Sequence, residues 1–151
     1  MINLARATDS DMTEISELLR IADLTLSGLA SPTVHLWISR DETTERIFAT
    51  TGYESSEDGK HALIRSVAVD QALRGAGIGL ELAQFAMDRA VEAGAKQAWL
   101  FSRRSGPFWQ KAGFMPADTN ELAAALASTH QVRLFTQTGQ LGREVAWSRQ
   151  L

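Results

Sequence analysis

The chain has 151 residues, of which 44% are hydrophobic and 22% are charged. These are the proportions of an ordinary globular protein, so we expect one domain over residues 1–151 with a buried core of its own. A formal charge of -3 lacks the positive field that nucleic acid binding requires, and the absence of cysteine excludes disulfides, thiolate metal ligands and a cysteine nucleophile.

Alternating β-rich runs and amphipathic stretches predict a mixed α/β fold. Strand signals are short runs of β-branched and aromatic residues bounded by turn residues, and helix signals are apolar residues spaced three and four apart. In chain order, the predicted elements are a strand at 2–7, a helix through 15–22, an antiparallel hairpin of strands at 34–38 and 46–53, a strand at 62–69, a helix at 77–93, a strand at 98–101, helices at 106–112 and 121–128, and a strand at 144–148. The stretch 24–32 is a loop or a broken helix, and the mostly apolar strand at 62–69 is expected in the centre of the sheet.

The amino-terminal residues carry no apolar core of the kind found in a signal peptide, and no apolar run approaches a membrane span. We therefore expect a cytoplasmic protein with neither a membrane nor a nucleic acid as partner. The histidines His35, His61 and His130 are scattered without metal-ligand spacing, so no metal site is predicted.

The junction between the central strand and the next helix contains three alternating glycines, Gly75, Gly77 and Gly79. Small residues there expose backbone N–H groups, which join the positive end of the helix dipole to form an anion site suited to a pyrophosphate. Arg74 adds a forked donor. On the alternative interpretation, the glycines only let the strand turn tightly into the helix. Leu80 argues against both a P-loop, which needs Gly-Lys-Ser/Thr, and a Rossmann fingerprint, which needs Gly or Ala there.

This junction resembles the acetyl-CoA motif of the GNAT acetyltransferase superfamily, Arg/Gln-x-x-Gly-x-Gly/Ala, which Arg74, Gly77 and Gly79 fill. The segment 108–114, Phe-Trp-Gln-Lys-Ala-Gly-Phe, is similar to the aromatic helical segment that follows the next strand in that superfamily. The resemblance implies an α/β domain with a mixed, mostly antiparallel twisted sheet flanked by helices. It also implies acetyl-CoA as co-substrate and no metal.

The resemblance implies which residues would contact the cofactor. The strand before the loop would offer backbone partners to the pantetheine arm, the loop would hold the pyrophosphate, and an aromatic residue would lie near the thiol end. The implied acetyl-CoA contacts are Val67, Ala68, Val69, Arg74, Gly75, Ala76, Gly77, Ile78, Gly79 and Phe108.

A finer likeness is to the amino-acid N-acetyltransferases, including the N-acetylglutamate synthase domain and the arsinothricin-type enzymes. The similar features are the strand at 63–69, the bend at 101–105 and the tail after Phe114. The likeness implies that the acceptor is the amino group of a small molecule, an amino acid or an amino-acid-like compound. Two alternative functions remain open, which are acetylation of a protein amine and a catalytically weak sensor that binds acyl-CoA. A homodimer also remains open as the oligomeric state.

Amine acetylation needs a base for the ammonium, a donor for the oxyanion and an acid for the departing thiolate. Members of the superfamily often place a glutamate on the strand before the loop, but Leu63 and Arg65 occupy those positions here. Glu54 is therefore the candidate base, directly or through a water, and the alternative is a solvated strand-end carboxylate. Trp109 stands where many relatives carry a tyrosine acid, and an indole cannot supply that proton. The remaining candidate donors are Ser102, Ser105 and bulk water.

Arg65 is expected to share its side-chain direction with Val67 and Val69, because directions alternate along a strand. A buried arginine requires an anion, which is either a substrate carboxylate or an internal Asp or Glu. Arg103 is a second candidate for binding the substrate, or alternatively the 3′-phosphate of CoA or only solvent.

Overall fold

The chain folds around one mixed sheet, which a computed structural model describes for residues 2–151. The strands are β1 (Ala5–Arg6), β2 (Val34–Arg40), β3 (Ile47–Ser55), β4 (His61–Val69), β5 (Gln97–Phe101), β6 (Met115–Ala117) and β7 (Ala146–Gln150). The helices are α1 (Met12–Ile21), α2 (Ile78–Glu92), α3 (Gly106–Lys111), α4 (Thr119–Ala125) and α5 (His130–Thr138).

The strand order is β1-β2-β3-β4-β5-β7-β6, and β4 with β5 is the parallel pair within this otherwise antiparallel sheet of residues 2–151. The prediction of a mixed, mostly antiparallel sheet flanked by helices is confirmed. The pairing of β4 with β5 runs only from His61↔Gln97 to Leu63↔Trp99. Beyond Leu63 the two strands diverge, and their carboxyl-terminal halves leave an opening at the centre of the sheet.

Most predicted elements lie within a few residues of the observed ones, including the β2–β3 hairpin and the central position of β4. Sequence analysis missed β6 and α5. Strand β6 has three residues and pairs only with β7, so it is too short for an alternating pattern. Helix α5 buries only Val132 and Phe135, which is too few apolar positions to show a helical period. The stretch 24–32 is a loop of turns.

Helices cover both faces of the sheet. On one face, α2 and α3 pack against apolar residues of β4, β5 and β7. On the other face, α1 packs against β2, while α4 and α5 pack against β4 and β5. Within residues 2–151, no helix combines the length and apolar character needed to cross a membrane.

Strand β4 contains a bulge opposite Thr51. Gly52 pairs with Arg65 and Thr50 pairs with Ala68, so one residue of β3 faces two residues of β4. The extra residue is accommodated by Ser66, whose φ of 60° is in the left-handed region. A hydrogen bond between the two strands also stabilises the bulge, because the Thr50 hydroxyl donates to the Ser66 carbonyl oxygen over 2.6 Å.

The bulge reverses the expected direction of Arg65. Residues paired across antiparallel strands share a face, so Leu63, Arg65 and Ala68 point toward the side of α1, α4 and α5. Val67 and Val69 point toward α2. The prediction that Arg65 shares its direction with Val67 and Val69 is therefore wrong, because the extra residue shifts the alternation by one position.

The stability of Ser66 variants should depend on how easily the new residue adopts a left-handed backbone conformation. We expect Ser66→Gly to be the most stable variant, Ser66→Ala to be intermediate and Ser66→Val to be the least stable, because a β-branched side chain is the most strained at positive φ. The difference between Gly and Val should be roughly 1–2 kcal/mol in the free energy of unfolding. Urea titrations of the three variants measure it, and equal midpoints would contradict a positive φ at this position.

Candidate functional site

A cavity of about 1120 Å³ opens where β4 and β5 diverge. Its walls are the bulged half of β4 at 64–69, the loop and first turn of α2 at 73–80, and the segment from 101 to 111. The loop 22–25 after α1 and residues of α5 close the remaining side. The volume is slightly above the usual range for sites that bind one small molecule, which suits two ligands side by side.

The loop between β4 and α2 has the form of an anion site. Asp70 caps a 3₁₀ turn by accepting from the backbone of Ala72 over 2.9 Å. The Arg74 Nε donates to the carbonyl oxygen of Val69 over 3.3 Å, which holds the arginine beside the end of β4. Gly77 is the N-cap of α2 with a φ of 80°, so the first N–H groups of this helix receive no side-chain cap. These N–H groups and the helix dipole favour an anion at this end of the cavity.

Phe108 of α3 lies directly against this loop. A Cβ atom added to Gly79 would come within 2.9 Å of the Phe108 ring, so any larger residue at position 79 would require this ring to move. The structure thus brings together the glycine loop and the aromatic segment that sequence analysis singled out separately. Of the implied acetyl-CoA contacts, Ala76 does not line the cavity, whereas the others do. Their contact with the cofactor stays a prediction.

Arg65 lies on the opposite side of the cavity and is 4% exposed. Its Nη1 donates to Glu54 Oε1 over 3.4 Å and its Nε donates to Ser66 Oγ over 3.3 Å. Its Nη2 is buried and has no hydrogen-bond partner within residues 2–151. Burial lowers the pKa of Arg65, and the Glu54 carboxylate opposes that shift. A guanidinium remains protonated at neutral pH, so the site holds a buried cation with an unused donor.

Glu54 is held inside the protein, with a side chain only 1% exposed. Besides the contact with Arg65, its Oε2 accepts from the backbone N–H of His130 over 2.8 Å and from the Thr33 hydroxyl over 3.4 Å. The alternative of a solvated strand-end carboxylate is therefore wrong. Glu54 does not line the cavity, so it lies behind Arg65 as seen from the cavity. Its role as a base stays a prediction.

Arg103 lines the cavity and pairs with an acid that sequence analysis missed, Glu144. The distance from Arg103 Nε to Glu144 Oε2 is 3.3 Å, and the same oxygen accepts from Gln140 Nε2 over 2.8 Å. Glu144 and Gln140 also line the cavity. No local pattern marks these two residues, because only the 3₁₀ turn at Gln140–Arg143 brings them to the cavity.

No tyrosine is among the described residues that line the cavity. Tyr53, the single tyrosine of the sequence, packs between His35 and Trp37 and does not line the cavity. Burial raises its pKa. Trp109 is 8% exposed and packs edge-to-face on Phe108. Within residues 2–151, no group of three or more His, Cys, Asp or Glu residues is arranged to share a metal ion.

Comparison with known proteins finds one family model that matches residues 4–114, described as the acetyltransferase (GNAT) family. No curated protein sequence matches the chain. Among solved structures, N-acetylglutamate synthase from Neisseria gonorrhoeae with coenzyme A and N-acetyl-glutamate superposes with a TM-score of 0.81 at 17% identity. The match covers 100% of this chain and 35% of that enzyme, so the chain spans only part of that protein's length.

Other solved structures match over nearly their full lengths. Rv2747 from Mycobacterium tuberculosis, in complex with CoA, has a TM-score of 0.77 at 17% identity, with 99% of both chains covered. An aminoglycoside 6′-N-acetyltransferase complexed with coenzyme A has a TM-score of 0.71 at 8% identity, with 99% of this chain and 97% of that chain covered. At these identities the likeness shows a shared fold.

The anion site can be tested with CoA and a pair of matched glycine variants. We expect acetyl-CoA to raise the melting temperature of the parent protein, because a ligand that binds only the native state stabilises it. Gly77→Glu should abolish this rise, since its carboxylate would repel the pyrophosphate. Gly59, in the β3–β4 turn, has a φ of 72°, and a Cβ atom added there would meet the same open space as one added to Gly77.

Gly59→Glu therefore introduces the same charge and the same backbone strain away from the cavity. It should keep the full CoA-induced shift. Calorimetric titration with CoA measures both variants, and unchanged CoA affinity in folded Gly77→Glu would contradict the assignment of this loop.

Proposed function

Because the chain belongs to the GNAT acetyltransferase family, we propose that it transfers the acetyl group of acetyl-CoA to the amino group of a small amino acid or amino-acid-like compound. The observation that supports this acceptor class is the unpaired Nη2 of Arg65, a buried donor that belongs to a residue lining the cavity. Burying a guanidinium is costly unless its donors are satisfied. An acceptor carboxylate that binds Arg65 would satisfy the remaining donor.

The arrangement of the cavity supports separate binding positions for acetyl-CoA and for the acceptor. The anion site and Phe108 lie on the α2 side of β4, and Arg65 lies on the opposite side because of the bulge. Acetyl-CoA would bind in the opening between β4 and β5, and the acceptor would bind next to Arg65. An acceptor held by its carboxylate would present its amine to the thioester from a defined direction.

In the reaction, the neutral amine attacks the thioester carbonyl, a C–N bond forms and the C–S bond breaks. The amine loses a proton, and the CoA thiolate gains one. We propose Glu54 as the base, acting through a water because Arg65 lies between it and the cavity. The contacts of Glu54 with Arg65 and with the first turn of α5 also support a purely positioning role, and the two roles predict different pH profiles.

The buried cation of Arg65 supports a small acceptor with a carboxylate, whereas a protein amine would need an open groove. Asp23 pairs with Arg104, and this ion pair joins two of the loops that line the cavity. A catalytically weak acyl-CoA sensor would bind acetyl-CoA without turnover. Release of free CoA in the presence of a broad panel of amines and amino acids separates the sensor from the enzyme.

Removal of the Arg65 cation should weaken the binding of acceptors that carry a carboxylate more than the binding of acceptors that lack one. In Arg65→Met, we expect KM for amino acids to rise by about 10- to 100-fold, because the charge-assisted hydrogen bonds to the carboxylate are lost. The KM of the corresponding decarboxylated amines should change much less, and the affinity for CoA should be retained. Steady-state kinetics with paired acceptors measure the difference.

Two further variants control for folding and for charge in this test. Arg65→Met leaves the Glu54 carboxylate without its cation, so the double variant Arg65→Met/Glu54→Gln, in which neither partner is charged, should show the same acceptor pattern with better stability. Arg65→Lys should recover part of the preference for carboxylates. Equal losses for amino acids and amines would assign Arg65 to the structure alone.

The pH profile of Glu54→Gln separates a base from a positioning residue. If Glu54 is the base, kcat/KM near neutral pH should fall by about 10²- to 10⁴-fold and should recover at high pH, where free amine is abundant. If Glu54 only positions Arg65, the loss should appear mainly in KM for carboxylate acceptors and should not recover with pH. Activity equal to that of the parent at every pH would remove Glu54 from both roles.

A further inference from the structure

Glu144 is an acid that lines the cavity, and its side chain is 7% exposed. Its Oε2 already contacts Gln140 and Arg103. Its Oε1 accepts no hydrogen bond from residues 2–151 and is not a fully buried atom, so it is accessible to a ligand. The carboxylate therefore offers one unused acceptor oxygen in the same cavity in which Arg65 offers one unused donor.

The wall near these two groups is aromatic. Phe101 of β5 and Phe135 of α5 both line the cavity and pack edge-to-face, with ring centroids 5.0 Å apart. Phe101 belongs to the same apolar cluster as Leu63, so it lies on the face of the sheet to which Arg65 points. This wall suits the aliphatic part of an acceptor. Arg65 suits a carboxylate at one end of that acceptor, and Glu144 suits a hydrogen-bond donor at the other end.

The charge of Glu144 is only partly offset by Arg103. The Arg103 side chain is 50% exposed and approaches through Nε at 3.3 Å, so water screens much of its charge. The Gln140 amide contributes a neutral donor to the same oxygen. An acidic group that entered this part of the cavity would meet an anion, whereas an N–H or O–H group would find an unused acceptor.

We propose that Glu144 is a specificity-determining residue that selects acceptors whose side chain ends in a hydrogen-bond donor and disfavours acceptors with an acidic side chain. This inference rests on the proposed function, because it takes the α-carboxylate of the acceptor to bind Arg65. The substrate class is then an α-amino acid with a carboxamide, hydroxyl or similar donor at the end of an aliphatic side chain. Glu144 would discriminate against an acidic side chain because two negatively charged carboxylates would then lie close together.

The test compares acceptors that differ only at the end of the side chain. Glutamine and glutamate form one matched pair, asparagine and aspartate form a second pair, and methionine is an apolar match for glutamine. With acetyl-CoA and the parent protein, we expect at least one amide to exceed its acid in kcat/KM by about tenfold or more, and glutamine to exceed methionine. In Glu144→Gln, which keeps the size of the side chain and removes its charge, the amide-to-acid ratio should fall by about tenfold.

Two variants control this experiment. Glu121→Gln removes an exposed acid of α4 that does not line the cavity, and it should leave the amide-to-acid ratio unchanged. Arg103→Met removes the cation next to Glu144 and should increase the ratio, because the carboxylate then faces the cavity without compensation. This second variant keeps the test decisive if Glu144→Gln does not fold, since an unchanged or lower ratio in Arg103→Met contradicts the proposal.

Binding measurements give the same comparison without turnover. In the presence of CoA, glutamine should raise the melting temperature of the parent protein more than glutamate does, and this difference should disappear in Glu144→Gln. A parent that prefers the acids, that shows no preference, or that binds none of these amino acids overturns the proposal. So does a preference that Glu144→Gln leaves unchanged. Failure of the proposed function itself is distinct, because Arg65→Met would then affect amino acids and decarboxylated amines alike.

Discussion

One extra residue in β4 changes the register of this strand against β3, and the two sides of the cavity follow from that change. Before the bulge, Leu63 and Arg65 face α4 and α5, and after it Val67 and Val69 face α2. The strand also loses its pairing with β5 beyond Leu63. Because backbone groups left unpaired in a protein interior require partners, this opening is suited to a ligand that hydrogen-bonds with the strand.

The side of the cavity that contains Arg65 depends on a buried ion pair. Glu54 joins three parts of the chain, since it contacts Arg65 of β4, the Thr33 hydroxyl before β2 and the backbone N–H of His130 at the start of α5. A buried pair of this kind contributes little net stability, because the loss of hydration offsets the attraction between the charges. Its value here is geometric, since it fixes Arg65, which lines the cavity, and the start of α5, the helix that carries Gln131 and Phe135.

The two sides of the cavity are built in different ways. The side proposed to bind CoA uses backbone groups, glycines and the start of α2, all within one continuous stretch of sequence. The side proposed to bind the acceptor uses side chains from β4, β5, α5 and the turn before β7. A site made of backbone geometry leaves a local motif, whereas a site made of side chains from distant segments leaves none. This difference explains why the sequence alone indicates an anion-binding loop but does not indicate Glu144.

Local sequence was sufficient to establish the α/β class, the central place of β4, the glycine loop at the start of α2 and the family resemblance, because each depends on neighbouring residues and on local periodicity. The direction of Arg65 required the tertiary structure, since the bulge at Ser66 is a property of the pairing between two strands and not of either strand alone. The same holds for the burial of Glu54 and Glu144. Their surroundings come from α5 and the turn before β7, and contacts between segments so far apart in the chain carry no local signal.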